Sequence, residues 1–170
     1  TDSLKNEILK TVNSDKEETV AYMFLRTFMF KEEVLRFSGW QSDKNYRLFR
    51  KSKVKFDKER IVHETLLIDG KSSVLKNKLI HYSYNNYADY KGKMVKYGQM
   101  KAVEEYKKGK KAYFYHFIFR PLYKFLNHYI LRLGFLDGLK GITICYLNAL
   151  GVYSRYKELK RLRNMDKPLN

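Results

Sequence analysis

The run SSVLKNKLIHYSYNNYADYKGKMVKYGQMKAVEEYKKG, residues 72–109, decides the fold class. Its first part, Ser73 to Tyr84, reads as a last strand or an irregular segment. From Tyr87 the period changes. Tyr90, Met94, Tyr97, Met100 and Val103 recur three or four residues apart, which puts them on one face of a helix. The other face is mostly Lys, and Gly109 suits the C-terminal cap. The organisation therefore switches near residue 88, from strands to helices, and the class is α+β.

Working back toward the start, Val62 to Ile68 is a candidate strand ended by Asp69-Gly70, a strong turn signal. Tyr46 to Arg50 is a short strand. Thr19 to Phe30 is rich in β-branched and aromatic residues and reads as a strand; Lys31-Glu32-Glu33 turns it, and Val34 to Trp40 returns as the second arm of a hairpin. Asn13 to Lys16 reads as a turn. Leu4, Ile8, Leu9 and Val12 have helical spacing, with Asp2 or Ser3 as the cap. Working forward, Ala112 to Leu133 is a very aromatic helical stretch with a kink or a junction of two helices at Arg120-Pro121. Gly134 to Gly138 is a turn, and Leu139 to Arg163 is a further helix, apolar first and basic last, with fraying from Asn164.

The 170 residues carry 35 Lys and Arg against 18 Asp and Glu, a net charge of +17. Hydrophobic residues make up 44%, enough for a packed core, which excludes a wholly disordered chain. A single Cys excludes an intrachain disulfide and a Cys-based zinc site, and fits a reducing compartment. No run approaches the ~18–20 apolar residues of a membrane span, and no signal-peptide pattern stands at the start. Thr1 opens the chain without a Met, so a longer parent protein is expected. Such a basic, Tyr- and Phe-rich chain has three uses open to it: nucleic acid, an anionic membrane surface, or a phosphorylated substrate.

Placement narrows these. Lys107, Lys108, Lys110, Lys111, Arg120, Lys124, Arg132 and Lys140 flank the apolar and aromatic runs of residues 112–133. An in-plane membrane helix needs that arrangement, with apolar and Tyr side chains at the acyl boundary and cations toward lipid phosphates. The competing reading is a helical pair packed on the sheet with solvated charges. The densest polar cluster is Tyr46 to Lys51 followed by Ile61-Val62-His63-Glu64. On a regular strand Arg47 and Arg50 point to opposite faces, so one at most serves a site. Glu64, at the end of a half-buried strand, is either a general base with a raised pKa or one of a solvated pair with His63. His81 is either a metal ligand or a hydrogen-bonded, half-buried histidine. His116 and His128 belong to an interface or core edge, and Cys145 to packing. Glycine-rich phosphate loops, His-Glu-x-x-His, Gly-x-Ser-x-Gly and Asp-x-Asp are all absent.

The order of the pieces carries a resemblance. Trp40, Arg47-Leu48-Phe49-Arg50, Val62-His63-Glu64, His81-Tyr82-Ser83-Tyr84, Arg120-Pro121 and Gly134-Phe135-Leu136-Asp137-Gly138-Leu139-Lys140-Gly141 follow one another. In that order they resemble the C-terminal part of a family-2 glycosyltransferase, of the subgroup that adds sugars to the heptose region of the lipopolysaccharide inner core. The resemblance runs from about Thr1 to about Arg163. It implies a partial GT-A-type mixed sheet over residues 1–86, the acceptor-side half, followed over residues 87–170 by a basic, aromatic bundle of amphipathic, membrane-associating helices. The N-terminal nucleotide-binding half, with the family's acidic metal motif, is missing, so this piece alone is expected to be inactive.

What the resemblance implies about residues follows. Glu64 would deprotonate the acceptor hydroxyl in an inverting transfer, and His63 would orient the acceptor or the base. Arg47 and Arg50 would contact acceptor phosphate or donor diphosphate, and Trp40 would stack on a sugar. His81 would complete the site of a divalent metal, Mg or Mn. The implied partners are a nucleotide-sugar donor, a lipid-linked or phosphorylated glycan acceptor and, through residues 107–140, an anionic membrane surface. The implied place is the inner face of the cytoplasmic membrane. The competitors are a basic nucleic-acid-binding module, disfavoured because the cations flank apolar helical runs, and a non-catalytic membrane-surface adaptor.

Overall fold

The computed structural model describes residues 1–14, 18–40, 44–56, 66–84 and 86–166. The α+β class holds, with a mixed sheet followed by a helix bundle. The chain divides into two compact units: Thr1–Arg36 with Trp40–Ser83, and Phe37–Gly39 with Tyr84–Asn170.

The first unit is built on β1, Thr19–Phe30, as its composition demands. Val20, Phe24, Phe28 and Phe30, all on the even-numbered face, are buried. β1 pairs antiparallel with β3 (Lys44–Phe49) and, further along, with β2 (Glu33–Leu35). β6 (Lys71–Val74) runs parallel to β1, and β7 (Leu79–Tyr84) also pairs with it. The segment from Ser73 to Tyr84, expected as a last strand or an irregular segment, thus holds the end of one strand and the whole of another. β4 (Val54–Phe56) and β5 (Leu66–Ile68) form a separate antiparallel pair. Of the strand expected over residues 62–68, the part before Leu66 lies outside the described residues.

α1, Asp2–Asn13, packs Leu4 against Phe24 and Leu75, with Ile8, Tyr22, Leu48 and Leu79 around them. Its N-cap is Thr1, without a side-chain bond, rather than Asp2 or Ser3. Glu7 ties the helix to the loop after β6: its carboxylate accepts from the backbone N–H groups of Lys76 and Asn77 and from Asn77 Nδ2, at 2.7–2.8 Å. Burial acts to raise its pKa, but these bonds outweigh burial and hold it below the usual value.

The β1–β2 hairpin turns through Lys31 and Glu32, both at positive φ (47° and 67°), as a two-residue hairpin turn with matching twist requires. The return arm is shorter than residues 34–40. It ends at Leu35, because the polar groups of Phe37 and Ser38 are satisfied elsewhere, in the helical unit.

In that unit α2, Tyr87–Lys107, starts at Asn86, whose Oδ1 accepts from Asp89 N–H. It ends before Gly109, at φ +76°. α4, Gly138–Met165, lies close against it. A Cβ on Gly98 would stand 2.3 Å from the Gly151 carbonyl oxygen. Ala102, Tyr156 and Leu159 form the core there, flanked by Tyr106, Ala112, Phe117 and Val152. Buried Glu105 lies 3.7 Å from Lys110 Nζ and 3.6 Å from Arg155 Nη1.

Between the long helices a 3₁₀ turn, Phe114–Phe117, leads into α3, Phe119–Leu126. Pro121 falls in the first turn of α3, where its missing N–H is no loss. The expected break at 120–121 is therefore a helix start. A π-helical turn, Asn127–Leu131, and a 3₁₀ turn, Gly134–Asp137, complete the run. α4 continues to Met165, past the fraying expected from Asn164.

Phe37–Gly39 is bound into this unit by polar bonds. Asp137 Oδ2 accepts from Phe37 N–H at 3.0 Å and from Ser38 Oγ at 3.1 Å. Ser38 N–H donates to the Arg132 carbonyl at 3.0 Å. His128 Nδ1 is 2.8 Å from the Ser38 carbonyl oxygen, which can only accept, so Nδ1 carries the hydrogen. Burial, Lys124 and Arg132 push the His128 pKa down to about 4 against the pull of the Ser38 bond, so the ring is neutral at pH 7. Asn148, on α4, accepts from Tyr90 Oη at 2.8 Å. Ser38 and Gly39 both have positive φ (60° and 92°). At Gly39 the positive φ is what favours glycine; a Cβ there would also have to displace the end of Arg132, whose Nη1 would lie 2.7 Å away.

Candidate functional site

The candidate residues of the first unit sit on β1 and its neighbours. Phe28, buried on β1, gathers two of them. The Trp40 ring lies 4.1 Å from it, tilted by 37°, and the His81 ring meets it edge-on at 5.1 Å and 86°. The Arg26 guanidinium stands 5.0 Å over the same Phe28 ring. Trp40 and His81, forty-one residues apart in sequence, are thus brought together by a residue the sequence reading used only as strand. Arg26 was likewise not singled out; its place two residues before Phe28, on the same face of β1, is the signal that could have found it.

Arg47 and Arg50 lie toward the other end of β1. Tyr46 pairs with Met23 and Leu48 with Tyr22, so Arg47 is the extra residue of a β-bulge. The regular alternation assumed for the two arginines fails at this point, because a bulge shifts the parity of the strand. Both side chains are exposed. Arg50 N–H donates to the Val20 carbonyl at 2.9 Å. Its side chain lines a cavity of about 330 Å³ together with Thr11, Val12, Tyr22 and Leu48. Val20 and Phe28 are eight residues apart on the strand, so Arg50 lies about 25 Å along β1 from the Trp40–His81 pair.

His63 and Glu64 fall within residues 57–65, outside the described residues. The segment joins β4 to β5, whose last described pair is Phe56 opposite Leu66. Among the described residues no group of three or more His, Cys, Asp or Glu could hold a metal ion. His81 therefore has no such set of co-ligands among them.

The helical unit offers a second candidate, a surface. On α3 the exposed residues are Phe119 (62%), Leu122 (48%), Tyr123 (65%) and Leu126 (41%), with Arg120 beside them. Those four lie at i, i+3, i+4 and i+7, on one helical face. Lys124 is half-buried instead, and burial, Arg132 and Arg155 lower its pKa. A helix of a water-facing surface has the reverse arrangement, apolar side inward and cations outward. His116 and His128 sit where the sequence suggested, at core edges: His116 stacks on Tyr156 at 4.6 Å, and His128 is buried. Cys145 is buried, and burial raises its thiol pKa. Among the described residues no helix is long and apolar enough to cross a membrane.

No family model matches the chain. No solved structure matches it either. A lipopolysaccharide core biosynthesis glycosyltransferase, LpsC, of Rhizobium meliloti (strain 1021) is 29% identical over 135 residues, covering 75% of this chain and 50% of the relative. The chain thus spans about half the length of that protein. It is related, over most of its own length, to a glycosyltransferase.

Proposed function

We propose that this chain is the acceptor-side part of an inverting family-2 glycosyltransferase of GT-A type, acting in assembly of the lipopolysaccharide core or another bacterial cell-envelope glycan. The observation that carries the reading is the relationship to the rhizobial core glycosyltransferase, which spans three quarters of the chain. The donor is a nucleotide-sugar. The acceptor is a lipid-linked or phosphorylated glycan at the inner face of the cytoplasmic membrane, to which residues 107–140 bring the protein.

In this reading the Glu64 carboxylate takes the proton of the acceptor hydroxyl as its oxygen attacks the anomeric carbon. The bond from that carbon to the nucleotide diphosphate breaks on the opposite face, so the configuration inverts. His63 orients the acceptor or the base. Trp40 stacks on a sugar face, held by its contact with Phe28. Arg47, re-aimed by the bulge, and Arg50, at the cavity beside α1, offer guanidinium forks to phosphate oxygens. The divalent cation, Mg or Mn, that goes with this chemistry finds no donor set of three among the described residues, and no step here passes through it.

The test is transfer from a panel of nucleotide-sugars by the full gene product, wild type and Glu64→Gln. A kcat lower by ~10²–10⁴-fold with donor binding unchanged is the expected result for loss of a general base. Full activity in Glu64→Gln would remove that role. Absence of transfer with every donor would shift weight to the non-catalytic adaptor.

A further inference from the structure

The apolar residues exposed on the helical unit follow helical geometry. Phe119, Leu122, Tyr123 and Leu126 form the outward stripe of α3. The first turns of α4 repeat the pattern: Leu139 (85%), Ile142 (40%) and Tyr146 (57%) lie at i, i+3 and i+7 and are also exposed. Between the two stripes, Phe135 and Leu136 of the 3₁₀ turn are exposed as well. A folded protein in water rarely leaves so much apolar surface uncovered without a partner for it.

The charge around these stripes says what the partner is. Residues 107–140 contain eight Lys and Arg and one acidic residue, Asp137. That carboxylate accepts from Phe37 N–H and Ser38 Oγ, so its charge is engaged within the unit. Lys107, Lys108, Lys111, Arg120 and Arg132 are exposed in the same stretch, and exposed apolar side chains, Tyr and Phe among them, together with exposed cations match an anionic bilayer: hydrocarbon for the stripes, phosphate for the lysines and arginines. A second copy of this chain would bring cations against cations. Nucleic acid would leave the leucine and isoleucine side chains without a partner.

We infer that the outward stripes of α3 and of the first turns of α4 form one docking surface for an anionic lipid bilayer, inserted in the plane of the interface. The inference rests on the reading of a membrane-linked acceptor. It extends that reading past residue 140, onto Ile142 and Tyr146, and it assigns half-buried Lys124 to the unit's interior rather than to the lipid.

Co-sedimentation of the full chain with phosphatidylcholine vesicles, with and without about one third phosphatidylglycerol, tests it. Neither donor nor acceptor is present, so a failed binding assay and a failed transfer assay are separate results. Wild type is expected to partition onto the anionic vesicles at least tenfold better than onto the neutral ones. The variant Leu122→Ser/Tyr123→Ser/Leu126→Ser, and separately Leu139→Ser/Ile142→Ser/Tyr146→Ser, should each lose at least tenfold. Lys108→Glu/Lys111→Glu/Arg120→Glu should lose the preference for anionic lipid. Far-UV circular dichroism checks that each variant is folded.

A second measurement does not depend on those variants. Leu122→Cys carrying an environment-sensitive dye should shift to the blue on anionic vesicles, Cys145 being buried and slow to label. Equal binding to both vesicle types, no binding by wild type, a dye that does not shift, or a concentration-dependent dimer abolished by the stripe variants would each overturn the inference.

Discussion

His128 shows what a single side chain does in this fold. Its Nδ1–H reaches the Ser38 carbonyl across ninety residues of sequence, and its surroundings refuse a proton until about pH 4. An unfolded histidine accepts one near pH 6.5. Between those values the unfolded chain binds a proton that the folded chain does not. Stability is therefore fully present above pH 6.5 and falls as the pH drops toward 4, by up to ~3 kcal/mol. Urea midpoints should decline across that window in wild type and much less in His128→Gln; equal slopes would refute the assignment. Glu7 contributes in the same direction: its bonds to Lys76 and Asn77 hold its pKa below the usual value, so that stability too is lost as the pH falls through its depressed pKa. Such bonds were beyond sequence reading because a partner ninety residues away leaves no local pattern. The candidate site was legible to a similar degree. Trp40 and His81 are legible in the sequence and both pack on Phe28, but Phe28 itself carries no signal beyond strand propensity.

Among the elements, those whose pattern is local were the ones the sequence disclosed. β1 occupies Thr19–Phe30, as its β-branched and aromatic run announced, and α2 ends ahead of Gly109 as expected. β2 is shorter than its pattern, because Phe37–Gly39 answers to Asp137, Arg132 and His128 rather than to β1. The bulge at Arg47 follows from register, which only the paired strands reveal. The glycines of the long helices give a sharp comparison. A Cβ on Gly98 would collide with the Gly151 backbone, whereas one on Gly92, in the same helix, meets nothing within 4 Å. Gly98→Ala is expected to destabilise by at least ~2 kcal/mol, since α2 and α4 must part. Gly92→Ala should stabilise by ~0.5–1 kcal/mol, through helix propensity alone. Chemical denaturation of the two variants measures both, and equal effects would contradict this packing.

On the scale of the whole molecule, charge and connectivity dominate. The stretch from residue 107 to 140 has eight cations to one acid, the chain's basicity drawn toward a surface that also exposes aromatic and aliphatic side chains. The chain passes from one unit to the other three times, after Arg36, after Gly39 and after Ser83. Residues 84–170 expressed alone would therefore leave Asp137 without two donors and His128 without its acceptor. That segment is expected to melt at least ~10 °C lower than the same helices in the full chain, since several hydrogen bonds at about 1 kcal/mol each move a domain of this size by that much. Adding a peptide spanning residues 34–41 should recover part of the loss; unchanged melting would show the tripeptide to be dispensable. The tripeptide also bears on inheritance. A genetic crossover at codon 84 would hand the helices to a new host whose own Ser38 counterpart had not been selected with them. Exchange among related genes should therefore avoid junctions between codons 37 and 137, and a junction shortly before Phe37 is disfavoured too, because it would part β1 from β3 and β6.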